Sequence, residues 1–150
     1  MLSSLPIFDG LTRGQLKQIT RLLHQREYDK DEIVFNQSEP GAGLYIIVSG
    51  RITIWRPIEG AEPMVLAEFV EGNFFGELAL VDEIPRSATA SAVERTTLLA
   101  FPKPDLERLI DRQPQVAVKI LFNLSRLIAQ RLVRANENLE RLSQAAPSDT

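Results

Sequence analysis

Glu77 and Arg86 stand nine positions apart within the segment Gly72-Asn73-Phe74-Phe75-Gly76-Glu77-Leu78-Ala79-Leu80-Val81-Asp82-Glu83-Ile84-Pro85-Arg86-Ser87-Ala88-Thr89. Gly76 permits a sharp backbone turn. Glu77-Leu78-Ala79-Leu80 can then form a short helix, and Pro85 blocks its continuation toward Arg86. The first N–H groups of a helix have no partner within it and favour an anion. Arg86 adds a planar fork of donors suited to a phosphate. Glu77 would repel a naked phosphate, so the ligand must also offer a hydroxyl, as a ribose 2′-OH does. One Arg and one Glu together therefore describe a compact nucleotide. Taken singly, the same residues have plainer uses. Arg86 could pair with Asp82 or Glu83, Glu77 could sit at a helix start where the dipole favours it, and Ser87 could cap its own loop.

Three regions position this segment. From Pro6 to His24, apolar residues at Leu11, Leu16, Ile19, Leu22 and Leu23 recur at helical spacing. Thr12 with Gln15 forms a capping box, so the spacing predicts a helix from Thr12 to about His24, with His24 partly exposed on it. From about Arg26 to Phe101 the pattern changes to short runs rich in Val, Ile, Phe, Tyr and Trp. The expected strands are Ile33 to Phe35, Leu44 to Val48, Arg51 to Trp55, Met64 to Phe69, Thr89 to Val93 and Thr97 to Phe101. Ser49-Gly50 makes a tight hairpin between two of them. Many short strands at regular spacing predict a closed barrel or jelly roll. After Pro102 the chain is helical again: a short helix from Pro104 to Ile110, then a long one from Pro114 to about Leu142. Ile128, Leu132, Ala135, Leu139 and Leu142 step by four and three along it, a seam of the coiled-coil kind.

The segment Phe-Gly-Glu-Leu-Ala-Leu followed by Pro-Arg-Ser-Ala-Thr resembles the phosphate-binding cassette of the cyclic-nucleotide-binding domain family. The spacing of Glu77 and Arg86 is that of its kinase regulatory-subunit and channel members. Leu5-Pro6-Ile7-Phe8 resembles the family's opening segment, and Glu39 to Gly50 its first long hairpin. The resemblance implies one domain over 1–150, mainly β with flanking helices. It comprises an N-terminal helical segment (about 1–25), an eight-stranded antiparallel β-roll (26–101) with the cassette at 75–89, C-terminal helices (102–142) and a tail (143–150). It also implies a ligand, cAMP or cGMP, and no cofactor. Glu77 would accept from the ribose 2′-OH and Arg86 would pair with the exocyclic phosphate oxygens. Gly76 and the backbone N–H groups of Leu78, Ala79, Ser87 and Ala88 would complete the cradle. Ile54, Leu66 and Phe69, facing inward, would wall the sugar and base, and Ala135 or Asn136 of the last helix would cap the purine. Ser87 stands where cAMP-type kinase domains carry Ala and cGMP-type ones Thr. Catabolite-activator-like members carry Ser and bind cAMP, so cAMP is favoured.

Composition narrows the alternatives. There is no cysteine, so disulfides and thiolate chemistry are excluded. His24 is the single histidine, too few for the metal cluster of a β-barrel enzyme or for a Ser/His/Asp arrangement. The expected protein is not an enzyme. A net charge of −3 argues against a broad nucleic-acid face. The eight residues after Leu142 leave no room for a helix-turn-helix, so direct DNA binding by this chain is not expected. No signal peptide or membrane-spanning run is evident, and the expected location is cytoplasmic. The reading is a sensor module that signals by rearranging its last helix, with a homodimer through the seam and a further protein as receiver. Two alternatives stand beside it: the sensor half of a catabolite-activator-type regulator, channel or kinase, and an interaction domain that has lost its nucleotide.

Overall fold

The computed structural model describes residues 2–82 and 84–145. Two 3-10 turns, Leu2–Ser4 and Pro6–Phe8, lead into α1 (Arg13–Thr20). Eight strands follow: β1 (His24–Tyr28), β2 (Ile33–Phe35), β3 (Gly43–Ser49), β4 (Arg51–Arg56), β5 (Met64–Val70), β6 (Phe74–Phe75), β7 (Thr89–Ala92) and β8 (Thr96–Pro102). The short α2 (Leu78–Val81) lies between β6 and β7, and α3 (Lys103–Arg112) and α4 (Pro114–Ala145) complete the chain. The strands pair antiparallel in two four-stranded sheets, ordered β1-β8-β3-β6 and β2-β7-β4-β5. The expected eight-stranded roll with an N-terminal helix and a long last helix is the fold adopted.

The apolar run of β3 explains how the layers meet. Tyr45 and Ile47 point between the sheets, where Ile47 packs with Phe35, Ile52, Phe75, Ala90, Ala92 and Leu98. Leu44 and Ile46 point the other way, into a second core built with the helices. There they meet Ile7, Phe8, Ile19, Phe101, Leu106, Leu109, Ile120 and Leu124. A strand covered on both faces reads as continuous rather than alternating hydrophobicity. The Ser49-Gly50 hairpin forms as expected, with Gly50 at φ +102, where a side chain would be strained.

Several boundaries differ from the expectation. The Thr12–Gln15 capping box is present, but α1 stops at Thr20, and Leu22 and Leu23 follow in tight turns. His24 is not on the helix: it opens β1 and pairs with Ala100. The strand His24–Tyr28 has four exposed residues, so no apolar alternation announces it; its ladder with β8 does the work. Strand β6 is only two residues long and is made a strand by pairing with Tyr45 and Ile46. Helix α3 begins at Lys103 and runs to Arg112, and α4 runs three residues past Leu142. The tail expected at 143–150 is therefore still helical at its start, and its remainder, 146–150, lies outside the described residues.

The first half of α4 is firmly seated. Val116, Ala117, Ile120 and Leu124 are buried against the barrel. Asn123 donates through Nδ2 to the carbonyls of Ile7 (3.0 Å) and Asp9 (2.8 Å), and Lys119 Nζ donates to Gly10 O and Gln15 Oε1. No helix among the described residues is long and apolar enough to cross a membrane.

Candidate functional site: a nucleotide-sized cavity

The turn after β6, helix α2, and the loop entering β7 enclose one side of a cavity of about 230 Å³. Strands β4 and β5 wall the other side through Ile54, Ala67 and Phe69, and α4 closes one end with Arg131. Of the residues expected at the site, the structure brings Gly76, Glu77, Leu78, Ala79, Arg86, Ser87, Ala88, Ile54 and Phe69 onto this one cavity.

Arg86 is 8% exposed although it carries a full charge. Its backbone is pinned to the loop after β2, with Arg86 N donating to Glu39 O (2.8 Å) and Ser38 N donating to Arg86 O (2.7 Å). The guanidinium lies 4.1 Å above the Phe35 ring, where the ring face attracts a cation. Phe35, Tyr45 and Phe75 form an aromatic cluster beneath it, with ring centroids 5.4 to 6.0 Å apart. Nη1 donates to Gly76 O (3.0 Å) and Nη2 to Gly43 O (2.9 Å). Neutral carbonyls do not neutralise a buried charge, and burial pushes the guanidinium below its ordinary value while Glu39 and Glu77 pull the other way. Nε is buried without a hydrogen-bond partner among the described residues. A buried unsatisfied donor costs about 1–3 kcal/mol. An anion with several acceptor oxygens fits a fork so placed. Gly76 makes the close approach possible: its φ is +76, and a Cβ there would sit 2.6 Å from Arg86 Nη1.

Glu77 precedes α2 in a helical conformation, with no side-chain capping bond. Its Oε1 instead accepts from Arg131 Nη1 at 3.4 Å. The carboxylate therefore faces the cavity rather than the helix. The α2 turn already uses part of its own donor set, since Ala79 N donates to Gly76 O (3.3 Å) and Leu80 N to Glu77 O (3.0 Å). Ser87 is exposed, and its carbonyl accepts from Arg56 Nε at 2.9 Å, which ties the end of the cassette to β4.

Two expected positions are placed elsewhere. Leu66 is 44% exposed and does not face the cavity. The β4–β5 ladder pairs Ile54 with Ala67 but Trp55 with Val65, so Leu66 is the extra residue of a bulge. Successive side chains of a strand alternate in facing, so Leu66 lies on the face opposite Ala67 and Phe69, and Ala67 takes the wall position. Asn136 and Ala135 are exposed on α4 and lie off the cavity; the helix reaches it at Arg131, about one turn earlier. Arg131 was not legible as a site residue, because it stands among ordinary polar positions beside an apolar seam. Phe35, Phe75, Ile84 and Pro85 also line the cavity, and the aromatic content of β2 and β6 was the only hint of the first two. No group of three or more His, Cys, Asp or Glu able to hold a metal occurs among the described residues.

An arginine and a glutamate held on one apolar cavity suit a ligand with an anion at one end and hydroxyls beside it. Comparison with known proteins points the same way. Residues 25–113 match the profile of the family described as the cyclic nucleotide-binding domain. The chain is similar to the cyclic AMP receptor protein of Thermus thermophilus, 38% identical over 138 residues, or 92% of this chain and 62% of that protein. It is also similar to a cyclic nucleotide-gated potassium channel of Rhizobium etli, 33% identical over 80% of this chain and 32% of the channel. The crystal structure of the Thermus thermophilus catabolite activator protein superposes with a TM-score of 0.77, at 36% identity, over 92% of this chain and 63% of that one. The chain thus spans less than two thirds of the length of each of these relatives. With the profile covering the roll, the cassette and α3, and Glu77 and Arg86 meeting on one cavity, the chain belongs to the cyclic nucleotide-binding domain family.

Proposed function

We propose that this domain is a regulatory sensor that binds a cyclic nucleotide, cAMP in preference to cGMP, without catalysing its turnover. The observation that carries the reading is Arg86: a buried guanidinium with an unsatisfied Nε, on the same cavity as the Glu77 carboxylate. In the proposed complex Arg86 meets the exocyclic phosphate oxygens and Glu77 accepts from the ribose 2′-OH. Ile54, Ala67 and Phe69 lie against the sugar and base. Backbone N–H groups of Leu78, Ser87 and Ala88 are the remaining candidates for the phosphate, with Ala79 N already donating to Gly76 O. The preference for cAMP is supported by Ser87 and by the Thermus relative, whose name is that of a cyclic AMP receptor. Such a ligand implies a cytoplasmic protein.

The signal would leave through α4. A ligand moves an equilibrium only by binding one arrangement better than the other. The seam of the second half of α4 supports a partner: Ile128, Leu132, Leu139 and Leu142 are 38%, 60%, 63% and 68% exposed. Exposed apolar residues in such a row mark an interaction face, and a second copy of this chain is the proposed occupant. A separate protein would then receive the signal.

Titration calorimetry of the purified chain against cAMP, cGMP and 5′-AMP tests the ligand. Micromolar or tighter binding of cAMP, weaker binding of cGMP and much weaker binding of 5′-AMP is expected. Absence of heat and of any thermal shift with either cyclic nucleotide would reject the reading in favour of an interaction domain.

A further inference from the structure

Charge is unevenly divided along this acidic chain. Residues 10–26 and 112–136 contain no Asp or Glu, yet they carry nine of its 17 Lys and Arg. Such segregation puts the cations on one face instead of scattering them. The fold brings the two segments together, with α1 beside the junction of α3 and α4; Lys119 Nζ donates to Gly10 O and Gln15 Oε1 there. Between them runs a groove of two adjoining hollows, of about 360 and 390 Å³, which share Gln18, Arg112 and Gln113. Arg21 and Arg108 line the first hollow, Gln15 and Gln115 the second. Asp105 is the one acid on the lining among the described residues, and it lies buried against His24 and Arg108. Arg21 and Arg112 are exposed, with no side-chain ion pair or hydrogen bond among the described residues. The side-chain amides of Gln18, Gln113 and Gln115 are equally unpartnered among them. Helix α4 opens at Pro114 on the same groove, and its first turn contains no acid, so its dipole adds to the positive field. No residue of the groove lines the cavity of Glu77 and Arg86.

We propose that this groove docks an extended acidic segment of a partner protein, its carboxylates on Arg21, Arg108 and Arg112 and its backbone on the glutamine amides. A guanidinium fork matches a carboxylate with two parallel bonds. Arg108 meets Asp105 through Nη2 alone, which leaves its other N–H groups for a ligand. An amide side chain both donates and accepts, which is what a peptide backbone requires of its neighbour. Leu22, Leu109 and Val116 supply an apolar floor. Two hollows, each reached by arginine, suit a row of anions better than one small ion. Neutral amides between the arginines, on a chain of net charge −3, suit a peptide better than a nucleic acid, which needs a denser row of cations. The docking is separate from the cavity and stands whether or not that cavity binds a nucleotide.

Fluorescence anisotropy of the whole chain with labelled decaglutamate tests the groove. Saturable binding that weakens as salt rises is expected. R21A with R112A should weaken it about five- to tenfold at unchanged Tm, since neither side chain has a partner in the fold. R134A with R141A removes the same charge outside the groove and should weaken it less than about twofold. Q18A leaves the charge alone and should still weaken it about twofold, an effect that charge attraction by itself does not produce. R21E with R112E should lose decaglutamate and gain decalysine. Decaglutamate that fails to saturate the wild type overturns the proposal, as does equal weakening by the two alanine pairs. Tighter binding of single-stranded DNA or of phosphatidylserine vesicles assigns the face to that partner and overturns it too. Each readout is taken without cAMP, so a chain that binds no nucleotide leaves the docking site standing.

Discussion

Arg86 commits two of its N–H-bearing nitrogens to the carbonyls of Gly43 and Gly76, so its removal has two separable effects. R86A should weaken cAMP binding by roughly 2–5 kcal/mol, because a charge-assisted contact to the phosphate is lost. It should also lower Tm in the absence of ligand, since two carbonyls lose a donor and Phe35 loses the group packed on its ring. Calorimetry and ligand-free thermal unfolding, run on one preparation, read the two effects apart; unchanged cAMP affinity would remove the phosphate role. G76A addresses the same contact from the backbone. A side chain at φ +76 is strained by about 1 kcal/mol, and the added Cβ would displace Nη1. Its expected outcome is a lower Tm together with weaker nucleotide binding, checked by the same two measurements. E77Q should cost less affinity than R86A and should act through the sugar, so that the mutant and wild type differ little toward 2′-deoxy-cAMP. Among individual residues, Glu77 and Arg86 were readable from type and spacing. The burial of Arg86 on an aromatic cluster was not, because Phe35, Tyr45 and Phe75 come from three separate strands.

At the scale of elements, local signals located helices better than their ends. The Thr12–Gln15 box is written in four consecutive residues and forms as read. T12A should lower stability by about 1 kcal/mol, seen as a drop in Tm without loss of binding. Where α1 ends was decided by β8, which pairs with His24 to Tyr28 as the edge strand of its four-stranded sheet rather than leaving it helical. The polar sequence of β1 suits an exposed edge, where charge discourages further pairing. The face of Leu66 was legible by contrast: alternation from Phe69 puts Ala67 on the wall and Leu66 on the outer face, and the ladder adds its irregularity just beyond Ala67. Helix α4 depends on a contact that sequence spacing does not reveal. N123A removes both donations to Ile7 O and Asp9 O from a residue 5% exposed. A loss of about 1–3 kcal/mol is expected for the two orphaned carbonyls, measured by denaturant unfolding; a neutral result would mean water replaces the amide.

Across the whole molecule, the two sheets and the helices create the cavity that holds Glu77 and Arg86 and, on the described part of α4, a long exposed seam. If the seam seats a second copy, L139D with L142D should shift the chain from dimer to monomer in sedimentation velocity. Folding and the fit of the Phe35–Tyr45–Phe75 cluster should be untouched. A wild-type chain that is monomeric at high concentration, with and without cAMP, would assign the seam to another protein. What the sequence by itself determined was the class of fold and the two charged residues of the cassette. Period-two runs, a capping box, glycine at a tight turn and the Glu77–Arg86 spacing are all local, and local chemistry acts before the chain closes. Only the tertiary structure decided which side chains share the cavity. Gly43 and Gly76 reach Arg86, and Arg131 rather than Asn136 meets Glu77, because sheet register and helix packing set those distances across tens of residues.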